Sequence, residues 1–189
     1  MTATPPAAAW RRQHRAAVAQ QLLAESPAAA RALDWAMLAD APPWLSLSRS
    51  ARGLFARRVG SVLAAPALRL WIAAPQVAAA QAALGRDWWQ ALMARGDWPP
   101  LPPQLEPWPA DAGTDAGGVA EVLHEAGAAV LLATLPHGAL RHVASQVLAP
   151  AAPLLMPRPA AEVLLHTALQ IQHALVAASS AGADAGGTA

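Results

Sequence analysis

The sequence predicts an all-α protein, folded as a compact single-domain bundle of several helices. Apolar residues recur at intervals of three and four in most segments, whereas the alternation typical of strands is rare. Alanine and leucine dominate a chain that is 55% hydrophobic and contains no cysteine. A chain of 189 residues is long enough to bury a core without disulfides, so we expect helix faces to supply that core.

Prolines set the predicted helix boundaries, because a proline is tolerated in the first turn of a helix and disrupts its interior. The predicted helices cover residues 8–24, 27–39, 46–64, 67–74, 75–84, 86–95, 118–135, 137–149 and 159–178. Within the third of these, we expect Gly60 to interrupt the helix near its end and Pro66 to terminate the run.

The clearest predicted break lies at residues 96–117, which contain six prolines and three glycines. We interpret this segment as an ordered, proline-rich crossover between two helical parts. The alternative is a proline-rich ligand for a groove-binding module. The single domain is expected to span residues 1–178, and the small residues of 179–189 predict a flexible, disordered C-terminal tail.

Charge is distributed unevenly between the two sides of this break. Residues 1–99 hold eleven arginines and five acidic residues, whereas residues 100–189 hold two arginines and seven acidic residues. The first part therefore has a formal charge of +6 and the second −5, which gives the overall +1. Either the basic part meets an anionic partner, or the two parts of one fold face each other.

The helix over residues 46–64 has the clearest pattern, with Ser46 or Ser48 as its N-cap and one apolar face. Its arginines fall largely away from that face: Arg49, Arg52, Arg57 and Arg58. The nearest carboxylates in sequence are Asp40 and Asp87. We predict that these arginines contact an acidic partner, so that Arg52→Glu with Arg57→Glu abolishes binding and leaves the protein folded.

Trp88 and Trp89 are the second group of candidate partner-binding residues. Adjacent residues on a helix point about 100° apart, so we expect that the pair cannot share one narrow core seam. Tryptophan and arginine are also the residues most enriched at interface hot spots. One of the two is therefore predicted at a boundary or an interface, with core packing as the alternative.

The sequence shows no pattern that predicts catalysis or cofactor binding. It lacks GxGxxG, P-loop and GxSxG motifs, and no paired carboxylates suggest acid–base chemistry. His166 and His173 share a helix face with Glu162, but Gln170 lies between them. We interpret this row as a solvated face and predict that neither zinc nor a chelator changes the thermal stability.

Charge and hydropathy along the chain predict where the protein is located and whether it binds nucleic acid. Residues 1–9 carry no positive segment ahead of an apolar run, and the longest apolar run, near 126–135, is half the roughly 20 residues that a membrane span needs. We expect a cytoplasmic protein that reaches the membrane only through partners. Arg11-Arg12 and Arg57-Arg58 could contact phosphates, which makes a helical nucleic-acid-associated protein or regulator the alternative function. Because the arginines are spread over several helices and no reading module is recognisable, we expect no nucleic-acid partner.

Residues 45–93 resemble the SctK family, also called YscK or OrgA, which are accessory proteins of the type III secretion sorting platform. The likeness rests on an arginine-bearing helix ending at Gly60, then Leu68-Arg69, then an alanine-rich helix running into residues 84–87. The resemblance implies a cytoplasmic adaptor that joins the SctQ pod protein to the cytosolic domain of the SctD inner-membrane ring protein. It implies no cofactor and no enzymatic activity.

Overall fold

The regular elements of the structure are all helical, which confirms the predicted fold class for the residues that the structure describes. The computed structural model describes residues 6–31, 33–99, 115–136, 138–150 and 156–185. Two short 3-10 helices, Met37–Asp40 and Pro43–Ser46, precede the third α-helix. The α-helices are α1 (Pro6–Glu25), α2 (Pro27–Ala30), α3 (Arg49–Leu68), α4 (Ala74–Leu84), α5 (Arg86–Ala94), α6 (Ala116–Thr134), α7 (Gly138–Leu148) and α8 (Arg158–Ala185).

Helices α3 and α6 lie at the centre of the fold and pack along each other. Helices α4 and α8 pack against both of them, and α5 fits against α3, α4 and α8. Helix α1 covers another side, where it contacts α2, α7 and the two 3-10 helices. The buried side chains of these elements form one connected hydrophobic cluster that includes Leu22, Leu45, Trp88, Leu123, Leu140 and Leu164.

Two glycines allow α3 and α6 to touch through their backbones. A Cβ atom on Gly60 would overlap the carbonyl oxygen of Leu123 and lie 2.8 Å from the nitrogen of Gly127. A Cβ atom on Gly127 would overlap the carbonyl oxygen of Ala56. The expectation that Gly60 interrupts its helix is therefore wrong. Gly60 lies in the interior of α3, because only glycine fits this crossing.

The end of α3 differs from the prediction. Pro66 lies inside α3, which continues to Leu68, and the helix predicted over residues 67–74 is absent. A proline inside a helix removes its own N–H donor and crowds the carbonyl four residues earlier, and α3 continues for only two residues past Pro66. The N–H of Arg69 donates to the carbonyl of Ala65 at 3.1 Å, and residues 69–73 then form the connector to α4.

The helix predicted over residues 27–39 is also wrong. Helix α2 ends at Ala30, and helical structure resumes as a 3-10 turn at Met37. The Asp34 carboxylate accepts a hydrogen bond from the N–H of Met37 at 2.7 Å. Such local side-chain bonds to the backbone compete with a continuous helix.

Ser48, one of the two predicted N-caps, is the residue that caps α3. Its hydroxyl accepts a hydrogen bond from the N–H of Ala51 at 3.4 Å.

The C-terminal helix is longer than predicted. Helix α8 continues to Ala185, so the predicted disorder is wrong for residues 179–185, while 186–189 lie outside the described residues. The hydroxyls of Ser179 and Ser180 donate to the carbonyls of Leu175 and Val176 at 2.9 and 3.0 Å, and these bonds accommodate both serines within the helix. Most of the predicted crossover, residues 100–114, also lies outside the described residues.

Helix α6 is the most apolar of the long helices in the described chain. Its 19 residues are long and apolar enough to cross a membrane by length and composition. Residues 127–131 are buried, and α6 packs against α3, α4, α7 and α8. The core helix of a helical bundle can pass the same test of length and composition.

The glycine crossing predicts a large stability difference between two otherwise similar substitutions. Gly60→Ala is expected to lower the free energy of unfolding by about 3 kcal/mol, because the added methyl overlaps a backbone oxygen. Gly53→Ala is the matched control on the same helix, since its Cβ would meet only the Arg57 guanidinium at 3.9 Å. Urea unfolding followed by circular dichroism measures both. Equal effects of the two substitutions would contradict the crossing.

Candidate functional site

The structure separates the four arginines that the sequence placed on one partner-binding face. Arg49 is exposed, whereas Arg57 and Arg58 are half-buried. Arg52 is only 1% exposed and lies among the core residues. The prediction of a common solvent-facing arginine surface is therefore wrong, and Arg52 cannot contact a partner while the protein stays folded.

Arg52 is buried because it pairs with a carboxylate that the sequence analysis overlooked. Its Nη2 donates to the Glu25 carboxylate and to the carbonyl of Leu47, the latter at 3.1 Å. Its Nε and Nη1 are buried and have no hydrogen-bond partner. Glu25 is the last residue of α1, so this ion pair ties α1 to the start of α3. The two residues are 27 positions apart, so proximity in the sequence does not reveal the pair.

Arg57 and Arg58 interact with the end of the next helix. Arg57 Nε donates to the carbonyl of Ala83 at 3.0 Å, and Arg58 Nε donates to the carbonyl of Leu84 at 3.4 Å. These are among the last carbonyls of α4, which have no partner within their own helix and carry the negative end of its dipole. Burial and the neighbouring Arg57 charge lower the pKa of Arg58, while Asp87 opposes that shift.

Trp88 and Trp89 are both buried, which agrees with the alternative of core packing and not with a boundary position for one of them. The Trp88 indole donates from Nε1 to the Ser61 hydroxyl at 2.9 Å, and the Arg58 guanidinium lies 5.0 Å from the ring centroid. Helix α5 fits between α3, α4 and α8. Side chains that point about 100° apart therefore both meet protein.

A different part of the chain exposes tryptophan and arginine together, in the first half of α1 and the turn after α2. Trp10 and Trp35 are 59% and 52% exposed. The Trp10 ring stacks on His14 with centroids 5.3 Å apart, and the Arg15 guanidinium lies 6.0 Å from the Trp35 centroid. We call this the N-terminal aromatic–basic surface, and it consists of Trp10, Arg12, His14, Arg15 and Trp35.

The geometry of this surface is fixed by contacts beneath it. The Nε2 of His14 lies 2.8 Å from the carbonyl oxygen of Ala41, which holds the ring on which Trp10 stacks. Residues 6–24 contain three arginines and no carboxylate. The available signal in the sequence was a tryptophan followed directly by two arginines in an alanine-rich helix. That signal does not show that Trp35, 25 residues farther along the chain, lies beside Arg15.

A second exposed region joins α3 to α4. We call residues 66–75 the α3–α4 tip. Leu70 and Ile72 are 79% and 93% exposed there, while the intervening Trp71 packs partly on the hydrophobic core. These two side chains are the most exposed of the large apolar residues in the described parts of the chain.

The histidines of α8 lie where the sequence predicted. His166, Gln170 and His173 are exposed with Glu162, and the opposite row of Leu164, Ala168 and Ile171 is buried. His166 and Gln170 approach within 3.0 Å through their side-chain nitrogens. No group of three histidine, aspartate or glutamate residues capable of holding a metal occurs among the described residues. The response to zinc or chelator stays a prediction.

A cavity of about 580 Å³ lies between α6, α7 and the start of α8. Its walls combine apolar residues such as Leu132 and Met156 with the polar side chains of Arg141, His142 and Ser145. The Ser145 hydroxyl donates to the backbone carbonyl of His142 at 2.7 Å rather than to an imidazole. This arrangement therefore does not activate the serine as a nucleophile in the way that a hydroxyl–imidazole pair does.

Comparisons with protein-family models, curated proteins and solved structures found no match to this chain. For the six residues predicted to bind partners, the evidence is therefore their burial and their contacts in the structure. Five of them are buried or engaged within the fold: Arg52, Arg57, Arg58, Trp88 and Trp89. The exposed tryptophan–arginine chemistry lies instead on the N-terminal aromatic–basic surface.

The buried ion pair predicts a strong dependence between two substitutions. Glu25→Gln leaves the Arg52 charge buried beside a neutral group and is expected to lower the free energy of unfolding by about 3–5 kcal/mol. Adding Arg52→Met removes that buried charge, so the double variant should recover part of the loss. Arg52→Glu should instead unfold the protein, because it places a second carboxylate beside Glu25. Urea unfolding of the two single variants and the double variant tests this, and additive losses would contradict the pairing.

Proposed function

We propose that this protein is a non-enzymatic cytoplasmic adaptor of the type III secretion sorting platform, linking an SctQ-like pod protein to an SctD-like inner-membrane ring protein. The observation that carries the adaptor function is the N-terminal aromatic–basic surface, with two half-exposed tryptophans beside arginines. The secretion system comes from the resemblance of residues 45–93 to the SctK family.

The chemistry of this surface suits protein binding. Tryptophan and arginine are enriched among the residues that dominate interface energies, because they bury much area and also form directional contacts. Here the Trp10 ring is stacked on His14 and Arg15 lies near Trp35 before any partner arrives. A pre-ordered surface loses less side-chain freedom on binding, which favours affinity.

The residues that resemble the SctK family build the scaffold of this adaptor. Residues 45–93 correspond closely to α3, α4 and α5. Three of their arginines are engaged within the fold, Arg52 with Glu25 and Arg57 and Arg58 with carbonyls at the end of α4. Partner contacts are therefore proposed on α1 and the turn after α2, outside the region of resemblance. The scaffold holds α1 in place through the buried pair between Glu25 and Arg52.

A nucleic-acid-associated function is the second candidate, and the same surface supports it. Exposed tryptophan rings can stack on bases, and exposed arginines such as Arg12 can contact phosphates. The two functions differ in their response to salt, because phosphate contacts weaken steeply as the salt concentration rises. Binding to a mixed single-stranded oligonucleotide across salt concentrations separates them.

The adaptor proposal predicts that Trp10→Ala with Trp35→Ala weakens binding to the SctQ-like or SctD-like protein by about 2 kcal/mol or more, because hot-spot tryptophans are removed. Leu23→Ala with Val176→Ala is the control, since both residues are exposed but lie outside this surface. Isothermal titration calorimetry with each purified partner measures the affinity, and circular dichroism verifies folding.

An unchanged affinity of the folded Trp10/Trp35 variant for both proteins would contradict the proposal. The proposal would also be contradicted if the unaltered chain bound neither of the two proteins. Tight, salt-sensitive binding of the oligonucleotide, lost in the same variant, would favour the nucleic-acid function instead.

A further inference from the structure

We propose that the α3–α4 tip inserts into the surface of an anionic phospholipid bilayer. This direct membrane contact goes beyond the adaptor function, in which the protein reaches the membrane only through its partners. Three features of the tip support it: the exposure of its apolar side chains, its ordered backbone and its almost complete lack of polar groups.

The exposure of the tip is unusual for residues of this type. Leu70 and Ile72 project into solvent at 79% and 93% exposure, whereas Trp71 between them packs partly on the core. Pro66, Ala73, Ala74 and Pro75 are exposed around them. Contiguous apolar patches on a protein surface mark membrane or protein contacts more often than scattered single residues do.

The backbone presents these side chains in a defined turn. The N–H of Leu70 donates to the carbonyl of Ala67 at 3.0 Å, and the N–H of Trp71 donates to the carbonyl of Leu68 at 3.2 Å. With Trp71 packed on the core, the two aliphatic side chains are held outward. The tip is therefore ordered before it meets its target, which reduces the entropic cost of binding.

The composition of the tip favours lipid over a protein partner. Arg69 carries the one polar side chain in residues 66–75. Protein interfaces have a polar rim and about one hydrogen bond per 100–200 Å², which this tip has few side-chain groups to supply. At a bilayer surface, aliphatic side chains such as Leu70 and Ile72 can lie among the acyl chains, and Arg69 can reach the phosphates.

The charge around the tip points to anionic lipids. Arg69 is exposed within the tip, and residues 66–75 contain no carboxylate. Basic side chains near a membrane surface are attracted by anionic headgroups and not by neutral ones. Vesicles containing phosphatidylglycerol should therefore bind the protein better than vesicles of phosphatidylcholine alone.

The test is co-sedimentation of the full chain with vesicles at millimolar lipid, made of phosphatidylcholine with or without phosphatidylglycerol. The unaltered protein should sediment with the anionic vesicles. Leu70→Ser with Ile72→Ser should lower its partition coefficient by about tenfold or more, because two aliphatic side chains no longer enter the bilayer. Leu23→Ser with Val176→Ser is the matched control and should bind as the unaltered protein does.

Two results would overturn the membrane contact: failure of the unaltered protein to bind anionic vesicles, or unchanged binding by the folded tip variant. If the unaltered protein does not bind vesicles and the tip variant no longer binds a protein that the unaltered protein binds, the tip is a protein-docking surface instead. The vesicle assay contains no partner protein, so its failure leaves the adaptor proposal standing. Loss of the adaptor proposal equally leaves the vesicle result intact.

Discussion

The close crossing of α3 and α6 at Gly60 and Gly127 is the contact on which the rest of the fold depends. Because neither residue has a side chain, the two backbones meet directly, and the atoms that a methyl would displace are backbone atoms. Helices α4 and α8 then pack against both central helices at once. A wider separation of α3 from α6 would open a gap beneath every one of these contacts, since protein interiors leave few voids larger than a water molecule.

Three of the four arginines of α3 are structural because of what surrounds that helix. Arg52 ties the end of α1 to the start of α3, whereas Arg57 and Arg58 bind the carbonyls that end α4. The absence of carboxylates between residues 41 and 86 suggested unpaired arginines that wait for an acidic partner. In the fold, backbone oxygens at a helix C-terminus take the place of those carboxylates, which is a role that composition cannot reveal.

The sequence predicts what depends on local periodicity and misses what depends on neighbours in space. The all-α class, the apolar row of α8 and its exposed histidine row follow from spacing along one helix, and the structure agrees with them. The same spacing could not show that other helices cover Arg52, Trp88 and Trp89. Two helix boundaries were also predicted wrongly: α3 continues past Pro66 to Leu68, and α2 ends at Ala30 instead of running to residue 39. The tryptophans that the structure exposes beside arginines, Trp10 and Trp35, are not the pair that the sequence pattern singled out.

The two exposed surfaces differ in chemistry in a way that fits two different targets. The N-terminal aromatic–basic surface offers rings and guanidinium groups, which can form directional contacts with a protein, whereas the α3–α4 tip offers aliphatic side chains and one arginine. Helix α3 connects them. Arg52 holds α1 near its start and the tip follows its last residue, Leu68, which lies about 24 Å farther along the helix axis. Because the crossing with α6 lies between those two points and keeps α3 in place, a partner bound at α1 and a bilayer at the tip would be held at a fixed separation. A defined distance between a partner and the membrane is the property that an adaptor at a membrane-bound assembly requires.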